Sequence, residues 1–151
     1  MKREVYMKRV VLMMGVLVLA LGFVSTSARA QSGAGRGPDP STVRDPDLEK
    51  DSLKSLEAVR LYFRLRKAYV AALARCEEII AGNPNFSRID EVLYIAGASS
   101  LRLSQKQGKQ AAKLSPDKLR DDAREYLLRI TKEFPDSEFR GLAEKELSSL
   151  K

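Results

Sequence analysis

From residue 48 onward apolar residues recur three or four apart, the spacing of one helix face. Leu53, Leu56, Val59 and Phe63 form a first stripe, and Tyr69, Ala72, Leu73, Cys76, Ile79 and Ile80 a second. Arg64, Leu65, Arg66 and Lys67 lie between them, where a tight turn fits. Gly82, Asn83 and Pro84 should stop the second helix, glycine by favouring the left-handed C-terminal position and proline because it cannot continue a helix. Ser87 predicts an N-cap for a third helix, with Asp90 and Glu91 facing its positive end. That helix runs through Leu93, Ala96, Gly97, Ser100 and Leu103 and fades into a polar loop at residues 105–108. Ser115, Pro116 and Asp117 predict a sharp restart, with Ser as cap and Pro at the first helical position. The fourth helix carries Leu119, Ala123, Leu127, Ile130 and Phe134 and ends at Pro135. A last one, capped by Asp136 or Ser137, should bury Phe139, Leu142, Ala143, Leu147 and Leu150. No alternating strand pattern of useful length occurs, so the expected class is all-α.

The chain before residue 48 reads differently. Residues 1–9 are basic, residues 10–24 (VVLMMGVLVLALGFV) are uncharged and apolar, and residues 25–30 (STSARA) close on two small residues, Ala28 and Ala30. This is the layout of a cleavable signal peptide over residues 1–30, and the apolar run is shorter than the ~20 residues a membrane-spanning helix requires. Cleavage after Ala30 would leave Gln31 as the first mature residue. No Cys lies between Gly22 and Ser32 to carry a lipid, and no Arg-Arg pair precedes the apolar run, so an unlipidated, exported, soluble protein is expected. Residues 31–47 (QSGAGRGPDPSTVRDPD) hold almost nothing to bury and read as a flexible linker. The glycines at 33, 35 and 37 follow no strand and open no helix, which argues against a phosphate loop. The helical domain is assigned to residues 48–151.

Two segments of that domain repeat a pattern. Ala72, Cys76, Ile79 and Pro84 recur as Ala123, Leu127, Ile130 and Pro135, each 51 positions later. A small residue lets antiparallel helices approach, apolar residues three or four apart fill the seam, and proline closes the unit. This spacing resembles the second helix of a tetratricopeptide repeat. Leu93, Ala96 and Gly97 match the first-helix positions, as do Leu56 and Val59, whereas Arg60 stands where a small residue is preferred. The second unit is stretched around residues 104–115, the expected repeat being ~34 residues. The segments AALARCEEIIAGNPNFSRIDEVLYIAGASSLRL and AREYLLRITKEFPDSEFRGLAEKEL look most similar to the BamD-like outer-membrane assembly lipoprotein family. The resemblance implies tetratricopeptide-like antiparallel helix pairs, an α-solenoid fragment with a C-terminal capping helix. It also implies a periplasmic scaffold that binds other envelope proteins or peptides.

Composition narrows the chemistry further. There is no His, no Trp and one Cys, so the usual general base, the commonest metal ligand and an intramolecular disulfide are all missing. Cys76 holds an inner position and reads as a small buried hydrophobe. Glu77 and Glu78 diverge on a helix and read as a solvated face, and the Asn85-Phe86-Ser87 sequon reads as an inter-repeat turn. No nucleophile–base pair, metal cluster or cofactor loop is recognisable, so the expectation is no catalytic, cofactor or metal site. The formal charge of +7 is concentrated at the front: residues 31–151 hold 22 basic and 19 acidic residues. So small an excess argues against nucleic acid as a partner. A protein-binding adaptor is therefore expected, without stable membrane insertion after signal cleavage. The alternative is a structural spacer or self-associating subunit, since two repeats fall short of the three or so that usually close a core. Mapped by repeat offset, the concave partner-binding face would present Lys54, Glu57, Leu61 and Arg64, then Glu91, Tyr94, Ala98 and Leu101. Arg64 and Tyr94 should stand side by side as its anchors.

Overall fold

The computed structural model describes residues 44–150. The expected signal peptide, its cleavage site and most of the expected linker lie outside these residues. Among the described residues every regular element is helical.

Helix α1 spans Pro46–Arg60. Its start falls inside the expected linker because Asp45 caps it. The Asp45 carboxylate accepts from the Asp47 N–H at 2.8 Å, and Pro46 takes the first helical position, where its missing N–H costs nothing. α1 passes without a break into a π-helical segment, Leu61–Arg66, closed by Lys67 in the left-handed region (φ 49°). The turn foreseen near Lys67 thus follows a widened final helical turn. Helix α2 is Tyr69–Gly82, α3 is Ile89–Ser104, α4 is Pro116–Glu133 and α5 is Arg140–Ser149.

The two α-to-α junctions are hydrogen-bonded alike. The Asn83 N–H donates to Ile79 O, Phe86 to Asn83 and Ile89 to Phe86. At the later junction Phe134 donates to Ile130, Ser137 to Phe134 and Arg140 to Ser137. Each donor and acceptor is displaced by the 51 positions seen in the sequence, and Asn83 and Phe134 share similar dihedral angles (φ −142°, ψ 76° and φ −129°, ψ 65°). The side chains in between follow the same rule, for Ala72 and Ala123, Cys76 and Leu127, and Ile79 and Ile130 are all buried.

Consecutive helices pack as antiparallel neighbours. Asn83, beyond the end of α2, donates to the Ser52 hydroxyl near the start of α1, and Arg124 in α4 donates to the Leu150 carbonyl after α5. Helices α1, α3 and α5 run the same way. The Ser87 N–H reaches Glu49, while Arg102 lies over Phe63 at the other end. α3 is central: thirteen of its sixteen residues are buried, and its middle (Ala96, Gly97, Ala98, Ser99, Ser100) is built from small side chains that let neighbours approach.

Several local expectations need correction. Leu53 and Leu142 are exposed, at 45% and 46%, because α1 and α5 form the two edges of the stack and cover only one face. Gly82 is an ordinary last helical residue, and Gly108 is the one described glycine with positive φ. Ser87 does not cap α3; its N–H turns back to Glu49 and Arg88 holds the cap position. Ser115 does cap α4, accepting from the Lys118 N–H at 3.3 Å.

Candidate functional site

The face shared by α1, α3 and α5 begins with a charge pair that sequence reading missed. Glu91, in the first turn of α3, is 1% exposed. A carboxylate can be that deep only if cations meet it. Arg60 donates from Nε at 2.7 Å and from Nη2 at 2.6 Å, a two-pronged contact, and Arg88 adds Nη2 at 2.7 Å. The Glu91 contact holds the Arg60 guanidinium protonated even more firmly than usual. Arg88 also reaches Glu138 at 3.5 Å, so one chain of charges links α1, α3 and the turn before α5. Beside it, the Ser137 hydroxyl donates to Asp90 at 2.6 Å and accepts the Phe139 N–H at 3.1 Å.

Farther along α3 the face turns aromatic. Tyr94 is half-buried and stacks on Phe139, ring centroids 5.4 Å apart and planes 26° apart. Burial first, then the charge of Glu146, pushes the Tyr94 hydroxyl up from its ordinary value, while Arg102 and Arg64 pull the other way. Arg102 lies over the Phe63 ring at 5.3 Å, donates to the Ala98 carbonyl at 3.0 Å and pairs with Glu146 at 3.3 Å.

The residues expected on this face separate into two groups. Lys54, Glu57, Leu61 and Arg64 are exposed along α1 and its π-helical extension. Tyr94 is half-covered, and Glu91, Ala98 and Leu101 are buried, at 1%, 0% and 3%. The expectation that α3 offers a row of free side chains is therefore corrected. α3 lies between its neighbours, and the residues that offset arithmetic turns outward meet α1 and α5. Arg64 lies near enough to Tyr94 for its charge to act on the hydroxyl, while the tyrosine ring itself stacks on Phe139 and Arg102 lies over Phe63. Arg60, Phe63, Arg102, Phe139 and Glu146 complete the face and were not foreseen. Arg60 alone left a signal, as the large charged residue where the repeat pattern prefers a small one.

Among the described residues, no three His, Cys, Asp or Glu side chains gather as a metal site, and no helix is long and apolar enough to cross a membrane. Cys76 is fully buried in α2, and burial pushes its thiol far up. The α1–α3–α5 face offers guanidinium groups held in place by carboxylates, two stacked rings and exposed Leu61 and Leu142. Compared with known proteins, the chain matches no protein-family model, no curated protein and no solved structure.

Proposed function

We propose that this domain is an exported, tetratricopeptide-like protein-interaction module that holds an extended segment of another cell-envelope protein on its α1–α3–α5 face. The observation that carries the reading is the recurrence of one junction and one buried helix pattern at a 51-residue offset. Such a recurrence is what stacked helix pairs would give, with the odd-numbered helices along one side. The face supplies what an extended peptide needs: exposed Leu61 and Leu142 for side chains, and Arg64 for a carboxylate or backbone carbonyl. α5 would then serve as the capping helix. The apolar run and Ala-Arg-Ala sequence before residue 31 support export, and the similarity of the helical segments to the BamD-like family favours the periplasm and outer-membrane assembly.

The test is site-specific photocrosslinking in cells. A crosslinker at Leu61 or Arg64 should trap the same discrete envelope proteins, while one at Arg75, on the exposed side of α2, should not. Equal trapping at all three positions, or products consisting only of the chain joined to itself, would overturn the reading in favour of a spacer or self-assembling subunit.

A further inference from the structure

One end of the stack is cationic in a way the overall composition conceals. No acidic residue lies between Glu57 and Glu77, or between Glu91 and Asp117. The first gap contains the π-helical segment and its turn, with Arg64, Arg66 and Lys67. The second contains the α3–α4 loop, with Lys106, Lys109 and Lys113. The fold brings the two together. A Cβ placed on Gly108 would stand 3.1 Å from the Lys67 carbonyl oxygen and 2.8 Å from the Tyr69 ring, so the loop lies directly against the α1–α2 turn. Left-handed backbone at Lys67, Lys106 and Gly108 (φ 49°, 57° and 102°) folds both segments tightly there.

None of these six cations makes an ion pair among the described residues. The acids that follow the second gap are already engaged: Asp117 with Arg120, Asp121 with Arg124, and Asp122 with Lys118. The same end carries the most exposed large apolar side chain of the domain, Leu65 at 78%, together with Leu114 at 48%. Arg66 folds over the Tyr62 ring at 5.9 Å, leaving Leu65 standing among cations.

We propose that this end docks on the surface of a bilayer rich in anionic phospholipid, with Arg66, Lys67, Lys106, Lys109 and Lys113 at phosphate level, Leu65 and Leu114 entering the headgroup region, and Arg64 left to the α1–α3–α5 face. Unpaired cations give attraction that depends on anionic lipid and is screened by salt, and projecting leucines give an apolar contribution that salt does not remove. The leucines also favour a bilayer, whose headgroup region takes up apolar side chains anywhere along its surface, over a phosphate backbone, which is polar throughout. Docking by this end holds the stack by the tips of its helices and leaves the long α1–α3–α5 face open beside the membrane.

The test is flotation with vesicles of phosphatidylcholine, with or without phosphatidylglycerol. It uses a fragment of residues 44–151, which contains every core side chain among the described residues and omits the apolar run at residues 10–24. Wild type should bind only vesicles containing the anionic lipid and detach largely in high salt. Arg66→Gln, Lys109→Gln and Lys113→Gln together should weaken partitioning by about 100-fold, since each cation near such a surface contributes about a factor of five. Leu65→Ser alone should weaken it severalfold while leaving the anionic-lipid requirement intact. All these side chains are exposed, so helical circular dichroism should not change. Binding indifferent to phosphatidylglycerol, or unaltered in the triple variant, overturns the proposal. So does a fragment that ignores vesicles but captures a DNA oligonucleotide or polyglutamate through the same cations.

Discussion

Gly97 lies so close to Leu127 that a Cβ on it would stand 2.7 Å from the leucine Cγ and 3.3 Å from the Ala123 carbonyl oxygen. The contact sits where α3 and α4 cross, with Ala123 and Leu127 both fully buried. Helix propensity alone favours alanine over glycine by ~1 kcal/mol. Packing works against it, because the leucine Cγ is not a free tip and the carbonyl belongs to the α4 backbone. Overpacking costs about 1–3 kcal/mol. Gly97→Ala should therefore destabilise the domain despite its better propensity, by about 1 kcal/mol net. Gly141→Ala, in exposed α5 with nothing within 4 Å, should stabilise it by ~0.5–1 kcal/mol. Urea denaturation of the two variants beside wild type reads the opposite signs directly. Matching signs would show that the α3–α4 crossing is looser than described.

The buried carboxylate gives a second expectation. Glu91→Gln keeps the shape but removes the charge that Arg60 and Arg88 address, and a neutral amide can accept only part of their hydrogen bonds. Both arginines are partly exposed, at 36% and 42%, so water relieves some of the loss. The cost should be about 2 kcal/mol, below the 3–5 typical of a wholly buried pair. Arg60→Met in the Glu91→Gln background should add little further loss, because the pair is already broken. A double-mutant cycle by thermal melting checks the coupling, and strictly additive losses would count against it.

Cys76 and Tyr126 bear on stability at alkaline pH. Burial pushes the Cys76 thiol far up, and burial followed by the charge of Glu77 pushes the Tyr126 hydroxyl up to about 12. Both groups hold their protons more tightly folded than unfolded, where a thiol ionises near ~8.5 and a phenol near ~10. Their contribution to stability is therefore complete below about pH 8 and is lost as pH rises through and beyond those unfolded values. The melting temperature should fall from about pH 9 upward. Cys76→Ala should melt lower but with a flatter slope between pH 8 and 10, and Tyr126→Phe should flatten the slope between pH 10 and 12. A thiol reagent at pH 8 should leave the native protein unmodified and label it fully in denaturant.

Sequence periodicity revealed the helices because each must bury a stripe, and it revealed the 51-residue offset because Ala72, Cys76 and Ile79 recur as Ala123, Leu127 and Ile130 in equivalent buried places. It did less well with sidedness. Leu53 and Leu142 satisfy the period yet face solvent, since edge helices lack a neighbour that only the assembled stack defines. The candidate face was misread for a related reason. Glu91 is charged and local rules put it in water, whereas its partner Arg60 lies 31 positions away. The π-helical segment widens the turn just past Arg60, so residues beyond Leu61 no longer follow the phase counted from α1. Offset arithmetic still brings Arg64 near enough to Tyr94 for its charge to act on the hydroxyl, but it could not foresee that the ring of Tyr94 stacks on Phe139.

The central position of α3 has a consequence for how the domain comes apart. A long stack of helix pairs can unravel from either end, because a lost unit exposes only its neighbour's interface. Here α1 and α2 cover one side of α3 and α4 and α5 the other, so removing either hairpin uncovers the same helix. α3 supplies Ile89, Val92, Leu93, Ile95, Leu101 and Leu103 to the core, so losing either hairpin leaves much of that apolar surface facing water. The two halves thus act as mutual scaffolding around a shared keystone. The domain should therefore gain and lose its structure in a single cooperative step, and a cut that detaches either hairpin should unfold the rest.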